Sequence, residues 1–147
     1  MTPARWRTVE HTADLAVEVE AYSLDELFVS GGLAMMGVLQ GAEDGTEEPD
    51  SGGPPSEWRA MTFEASDREV LFVDWLRELL YIQISEQLLF AAADFAELGD
   101  KKLAARVAFR PPSNEVQVER ELKGVTYHDL QVVRRGDGWF ARIVFDL

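Results

Sequence analysis

Residues 70–84, VLFVDWLRELLYIQI, are the most informative stretch of the chain for its architecture. On a helical wheel of about 3.6 residues per turn they leave a narrow polar stripe, and roughly two-thirds of the circumference is apolar. The stripe is formed by Asp74, Glu78 and Ser85. A helix with so little polar surface has to be covered on more than one side. The stretch therefore predicts helices that lie between two sheets.

A strand and a helix are predicted near the start of the chain. Residues 16–22 alternate between apolar and acidic side chains, which is typical of a strand with one buried face. Ser23 and Glu26 then match a capping box, so a helix should begin at about Leu24 and end near Gly41, with Leu39 as its last residue. Three glycines inside this helix cost roughly 1 kcal/mol each relative to alanine. Their presence indicates close packing against a neighbour at Gly31, Gly32 and Gly37.

The remainder of the chain predicts a second helix and several strands. A capping-box pattern at residues 66–69, with Ser66 in the N-cap position, opens the second helix, which should continue to about Gln87. Residues 91–98, AAADFAEL, favour a helix by propensity but lead directly into a turn at residues 99–100. The predicted strands are residues 61–65, 103–110, 115–126, 130–135 and 139–147, with a hairpin turn at residues 136–138. The expected fold class is α+β, a layered sandwich with two main helices packed against β-sheets.

Composition limits the class of protein. The 147 residues suit one domain, and the absence of cysteine excludes thiolate metal sites and fits a reducing cytoplasm. No signal-peptide core and no run of 18 apolar residues occurs, so no membrane partner is expected. A formal charge of −13 argues against direct binding to nucleic acid, so the chain is expected to act on RNA only indirectly, through a basic partner protein. Residues 40–59 are acidic and rich in glycine and proline, and we expect a mobile loop with no packed structure.

Asp14 and Asp146, one near each end of the chain, are the strongest candidates for a site. Both have the polar parity of a predicted strand, Asp14 if the strand at 16–22 starts earlier, and the ends of a single domain are often close in space. The carboxylate of Asp146 is followed at once by the terminal carboxylate of Leu147. An oxygen-only cluster of this kind suits a hard cation such as Ca²⁺, Mg²⁺ or Mn²⁺. The alternative is that the two aspartates are separate, solvated surface groups.

Other polar residues have ordinary structural roles as their first interpretation. His11 and His128 are the only histidines, which is too few to argue a site. Lys123 and Asp74 are of residue types that are usually solvated on the surface. Tyr127 is of a type that usually lies at the edge of the core, where its hydroxyl hydrogen-bonds to a partner. The sequence contains no P-loop, dinucleotide fingerprint, His-Glu-x-x-His pattern or nucleophile elbow.

Four stretches together resemble the archease family. They are EHTADLAVEVEAYSLDELF at 10–28, VLFVDWLRELLYI at 70–82, VTYHDLQV at 125–132 and VFDL at 144–147. They occur in the order and spacing of the family and span nearly the whole chain outside the acidic loop. The resemblance implies a sandwich in which helices lie against mixed β-sheets. It also implies that residues 91–98 are extended rather than helical.

The resemblance implies a function as well. Archeases assist RNA-splicing ligases of the RtcB family, which seal RNA ends after guanylylating their own histidine with GTP and Mn²⁺. The archease promotes that charging step and lets the ligase turn over repeatedly. By the resemblance, a divalent cation is expected, with Ca²⁺ as the first choice and Mg²⁺ or Mn²⁺ as alternatives. The expected site residues are Asp14, Asp146 and Leu147 for the cation, and Lys123, His128 and Asp74 for the partner.

The leading hypothesis is a non-catalytic, cytoplasmic activator of such a ligase in tRNA splicing or RNA repair. A second hypothesis is a chaperone-like modulator of a tRNA methyltransferase or another RNA-processing enzyme, acting through a binding surface alone. A third is a small metal-dependent hydrolase that uses His11 and the aspartates. No base, nucleophile and orienting group stand at a recognisable spacing for that chemistry. In the leading hypothesis Asp14 is functional and His11 is structural.

Overall fold

The computed structural model describes residues 4–10, 14–42, 44–46, 55–112 and 120–147. The helices and strands within these ranges are, in chain order, β1 Arg5–Glu10, β2 Asp14–Ala21, α1 Leu24–Leu39, β3 Asp44–Thr46, β4 Glu57–Glu64, α2 Arg68–Glu86, β5 Leu89–Leu98, β6 Lys102–Arg110, β7 Gly124–Arg135 and β8 Gly138–Asp146. Neither of the two described helices is long and apolar enough to cross a bilayer.

The strands form two antiparallel sheets. The larger sheet has the order β3-β1-β2-β8-β7, and the smaller has the order β4-β6-β5. Every described pair of neighbouring strands is antiparallel, so the expectation of mixed sheets is wrong in this respect. A parallel pair needs a long crossover connection, whereas the links from β5 to β6 and from β7 to β8 are short turns that reverse the chain.

The two helices lie between the sheets, as the apolar second helix predicts. α1 contacts β1, β2 and β8 of the larger sheet and β5 of the smaller one, while α2 contacts β7 on one side and β4 and β5 on the other. Trp75 of α2 is fully buried, and its indole Nε1 donates a hydrogen bond to the carbonyl oxygen of Phe28, 2.9 Å away. Its ring meets Phe90 of β5 edge to face at 5.7 Å. This α+β layering confirms the expected fold class.

Helix α1 begins and ends where the local sequence signals place it. The hydroxyl oxygen of Ser23 accepts a hydrogen bond from the backbone N–H of Glu26 at 3.1 Å, which satisfies a donor that the first turn leaves free. Beyond the last residue, Gly41 adopts a φ of +84°, a conformation that glycine reaches without strain. The three glycines inside α1 face large side chains, which confirms the predicted close packing: Gly31 faces Phe72, Gly32 faces Phe90, and Gly37 faces Trp6.

Helix α2 differs from its prediction at the start and along its exposed side. Its N-cap is Asp67 rather than Ser66, because a carboxylate oxygen of Asp67 accepts the N–H of Val70 at 2.9 Å. The helix ends at Glu86, and Gln87 closes it in the left-handed region with a φ of +59°. The expected polar stripe is only partly correct. Ser85 is exposed as expected, but Asp74 and Glu78 are half-buried, and a neighbouring row formed by Arg77, Tyr81 and Ile84 faces solvent instead.

The remaining predictions have mixed outcomes. Residues 91–98 belong to β5, so the extended interpretation is confirmed over their helical propensity. The hairpin at residues 136–138 is confirmed as the β7–β8 turn. The strand predicted within residues 115–126 is confirmed only for residues 124–126, with which β7 starts; residues 120–123 are not in a strand, and residues 113–119 lie outside the described part.

The acidic segment 40–59 was expected to lack packed structure. That expectation is wrong for β3, which pairs with β1, and for residues 57–59, which begin β4. The edge of β1 offers unpaired backbone groups, and three residues of β3 satisfy them. Residues 43 and 47–54 of the segment lie outside the described ranges.

Candidate metal site and its surroundings

Asp14 and Asp146 lie directly opposite each other on neighbouring strands. Asp14 is the first residue of β2 and Asp146 the last of β8, and the antiparallel register pairs them. Residues opposite each other in an antiparallel pair share a face and have Cβ atoms about 5 Å apart. Asp14 also shares the parity of Glu18 and Glu20, so the pair belongs to the face of the larger sheet that is turned away from the helices.

The first residues of β7 complete this corner of the sheet. Gly124 is the register partner of Asp146 on its other side, and a Cβ there would lie 3.5 Å from the Asp146 carboxylate oxygen Oδ2. The backbone N–H of Lys123 donates to the carbonyl oxygen of Asp146 at 2.8 Å. Lys123 therefore lies next to Asp146 along the backbone, and its side chain is exposed.

The donor set of this corner fits a hard divalent cation. Two carboxylates held face to face repel each other unless a positive charge lies between them, and their oxygens are the ligands that Ca²⁺ and Mg²⁺ prefer. No group of three histidine or acidic side chains converges among the described residues. A cation here would therefore use Asp14 and Asp146, with a main-chain oxygen of Leu147 and water completing its shell.

A depression of about 330 Å³ adjoins the corner on the side of α2. Its lining residues are Arg77, Leu80, Tyr81, Ile84, Lys123, Gly124, Val125 and Asp146. Two site candidates from the sequence, Lys123 and Asp146, thus share one concave surface with the exposed row of α2. Asp74, one turn earlier on α2, does not line this depression.

Arg77 joins α2 to the start of β7, and sequence reasoning did not single it out. Its Nε and Nη2 donate to the carbonyl oxygen of Val125 at 3.0 and 2.8 Å, and its Nη1 donates to the hydroxyl of Tyr127 at 3.3 Å. The guanidinium also lies 4.6 Å from the centre of the Tyr127 ring. An arginine inside a mostly apolar helix could have drawn attention to this position. The sequence pattern could not predict, however, that the Val125 carbonyl oxygen accepts its hydrogen bonds.

His128 lies in an irregular part of β7. The pairing of β7 with β8 shifts between Thr126 and Gln131, and the backbone N–H of His128 donates to the Thr126 hydroxyl oxygen at 3.1 Å. Its Nε2 is 3.4 Å from a carboxylate oxygen of Asp129. His128 is exposed and does not line the depression beside Asp146. His11 lies outside the described residues, so its structural role stays a prediction.

The fold and the corner together define a class of protein: a small α+β sandwich, with two helices between antiparallel sheets and paired carboxylates at the ends of two neighbouring interior strands. The chain belongs to the archease family, since the model of the archease protein family matches residues 6–147.

Relatives and solved structures agree with this assignment. The archease of Methanosarcina acetivorans is 30% identical over 151 residues, covering 97% of this chain and 96% of its own. The archease of Pyrococcus abyssi is 29% identical over 148 residues, covering 97% and 99%. The solution structure of Methanobacterium thermoautotrophicum protein 1598 matches with a TM-score of 0.71 at 25% identity, over 97% of this chain and 98% of that one. A Thermotoga maritima archease, described as a possible chaperone, shares the fold with a TM-score of 0.56 at 23% identity, over 95% and 94%.

Proposed function

We propose that this chain is a non-catalytic activator of an RtcB-type RNA-splicing ligase. In this role it promotes guanylylation of the ligase histidine and so restores repeated turnover of the ligase. The observation that carries the proposal is the register pairing of Asp14 with Asp146 in a chain of the archease family.

Each residue of the corner has a role in this proposal. Asp14 and Asp146 hold a divalent cation, and Leu147 contributes a main-chain oxygen. A bound cation neutralises negative charge on phosphate groups. Lys123, beside Asp146, directs a further positive charge toward the same phosphates or toward the ligase. The carboxylates that bind the cation lie at the ends of two strands, so they can contact a second protein without any opening of the sandwich.

The charge of the chain supports association with such an enzyme. A formal charge of −13 is suited to a partner whose surface is basic because it binds RNA. Opposite charge on two surfaces raises the rate of their encounter and selects against wrong partners. Binding of this kind should weaken as ionic strength rises, because salt screens exposed charges.

The test is a guanylylation assay with purified ligase, GTP and Mn²⁺, with and without this chain. We expect wild-type protein to accelerate ligase labelling, and we expect Asp14→Asn and Asp146→Asn each to reduce the acceleration at least tenfold. Asp137→Asn is the matched control, because Asp137 is an exposed aspartate in the turn at the opposite end of β8. Asparagine keeps the size of the side chain and removes only its charge. Full acceleration by both site variants would refute the proposal.

A chaperone-like modulator of a tRNA methyltransferase is the second candidate. The description of the Thermotoga maritima relative as a possible chaperone favours it, as do the exposed apolar side chains Tyr81 and Ile84. In that case binding to the methyltransferase would persist in the presence of a chelator and in the Asp14→Asn variant. This second candidate would be wrong if the chain bound the ligase in a cation-dependent manner and did not bind the methyltransferase.

A further inference from the structure

The row of α2 that faces solvent carries large apolar side chains at its C-terminal half. Tyr81 is 63% exposed and Ile84 is 57% exposed, the highest values among large apolar side chains in the described part of the chain. With Arg77 they follow the i, i+4, i+7 spacing of one helix face. The solvent side of a helix ordinarily carries charged and polar residues. Folding of this domain therefore does not account for the two side chains.

Two more exposed apolar residues lie close to the same corner. Tyr127 is 46% exposed and is held against Arg77, and Leu147 is 44% exposed and follows Asp146. Single apolar residues on a surface are normal, but adjoining ones mark sites of interaction. We call Tyr81, Ile84, Tyr127 and Leu147 the apolar collar.

Two residues of the collar, Tyr81 and Ile84, line concave surfaces. Ile84 lines the depression of about 330 Å³ beside Asp146, and it also lines a second depression of about 470 Å³. The second depression is lined by Leu39, Gln83, Ile84, Gln87, Leu89, Pro112, Glu121 and Leu122. Ile84 therefore lies between two concave surfaces, one of which is lined in part by Asp146 and the other mainly by aliphatic residues.

The elements beneath the collar are held in place before any partner arrives. Arg77 fixes the start of β7 through the Val125 carbonyl. At the end of α2, Arg59 of β4 donates to Glu86 at 2.8 and 2.6 Å, and these hydrogen bonds hold the pKa of Glu86 below its ordinary value. A surface that is already ordered loses little conformational freedom on binding.

We propose that the apolar collar is a docking surface for a basic partner protein. Its occupant offers apolar side chains to the two depressions and carries a positive charge that complements the formal charge of −13 of this chain. A second copy of this chain is a poor occupant, because it brings the same acidic corner and another formal charge of −13. The inference rests on the proposed function, in which the partner is the RNA ligase, and it adds the surface by which that ligase is held.

The test measures the dissociation constant of the complex with the intact ligase for the double variant Tyr81→Ala/Ile84→Ala. Alanine is the best helix former, so α2 should keep its stability. We expect at least tenfold weaker binding, with unchanged affinity for Ca²⁺ or Tb³⁺ titrated onto the free chain. Trp58→Ala is the matched control, because Trp58 is 43% exposed on β4 of the other sheet. It should bind the ligase like wild type.

The outcomes separate the inference from the proposed function. If wild type binds the ligase and the double variant binds equally well, or if Trp58→Ala weakens binding as much, the docking surface is refuted and the cation role survives. If wild type sediments as a dimer that the double variant dissociates, the occupant is a second copy and the inference fails. If wild type neither binds nor stimulates the ligase, the proposed function fails and the inference fails with it.

Discussion

At the residue scale, Gly32 lets three elements of the core meet. A Cβ at this position of α1 would lie 2.7 Å from two ring atoms of Phe90 on β5 and 3.0 Å from Leu79 on α2. Phe90 is itself buried and packed edge to face on Trp75, so its ring has no room to retreat. The glycine is therefore a requirement of packing between helix and sheet, although it lowers the intrinsic stability of α1.

We predict that Gly32→Ala destabilises the protein. Overpacking costs about 1–3 kcal/mol in cores, and this exceeds the roughly 1 kcal/mol that alanine returns through helix propensity. A lower urea midpoint with an unchanged slope would show the effect. Gly99→Ala is the control, because nothing lies within 4 Å of a Cβ there. A Gly32→Ala variant as stable as wild type would mean that the packing at this contact is looser than described.

At the element scale, the start of α2 shows how two adjacent cap residues are told apart. Ser66 and Asp67 are both favourable N-cap types, and the local pattern is compatible with either. The structure selects Asp67, which has extended dihedral angles of −157° and 176° and accepts the N–H of Val70. The backbone direction at the junction of β4 and α2 makes this choice, and a short sequence window does not contain that information.

Removing the cap should weaken the whole domain, because α2 is packed between both sheets. We predict that Asp67→Ala lowers the free energy of unfolding by about 1 kcal/mol, the usual loss for an N-cap. Ser66→Ala should change it by less than about 0.5 kcal/mol, as for an ordinary surface position. Chemical denaturation of the two variants side by side distinguishes them. If the two variants lost equal free energy of unfolding, or if Ser66→Ala lost more, the assignment of Asp67 as the N-cap would be wrong.

At the scale of the whole molecule, the acidic corner exists only because β2 and β8 pair. The two strands are near opposite ends of the chain, and their register sets Asp14, the first residue of β2, opposite Asp146, the last residue of β8. A shift of one residue in that register would turn one carboxylate toward the core. The register is held by the fully buried residues of the inner face, such as Val17 opposite Ile143.

A cation bound at this corner should stabilise the folded chain. A ligand that binds only the folded state raises the free energy of unfolding by about 2.7 kcal/mol when its free concentration is 100 times its dissociation constant. We predict a rise of this order in the free energy of unfolding of wild type on adding Ca²⁺. For Asp14→Asn and Asp146→Asn we expect a dissociation constant for Ca²⁺ that is at least tenfold higher, and therefore a smaller rise at the same Ca²⁺ concentration. Asp137→Asn should respond like wild type. An equal response from the two site variants would place the cation elsewhere.

Much of the site could be anticipated and part of it could not. The alternating pattern of β2 and β8 already assigned Asp14 and Asp146 to polar faces, because side-chain direction along a strand depends only on parity. Periodicity also predicted a polar stripe on α2, but it did not single out the row of Arg77, Tyr81 and Ile84. It could not tell that this row, rather than that of Asp74 and Glu78, stays uncovered. That outcome depends on how α2 is rotated between the sheets.

The sequence by itself determined the elements whose signals act within a few residues. The cap and the end of α1 and the turn at residues 136–138 are of this kind, because their hydrogen bonds and glycine dihedral angles are local. Only the tertiary structure decided that residues 91–98 are a strand, that β3 packs on β1, and that two distant aspartates face each other. Those outcomes depend on pairing and burial between segments far apart in the chain, and such contacts override local propensity because they remove far more apolar surface from water.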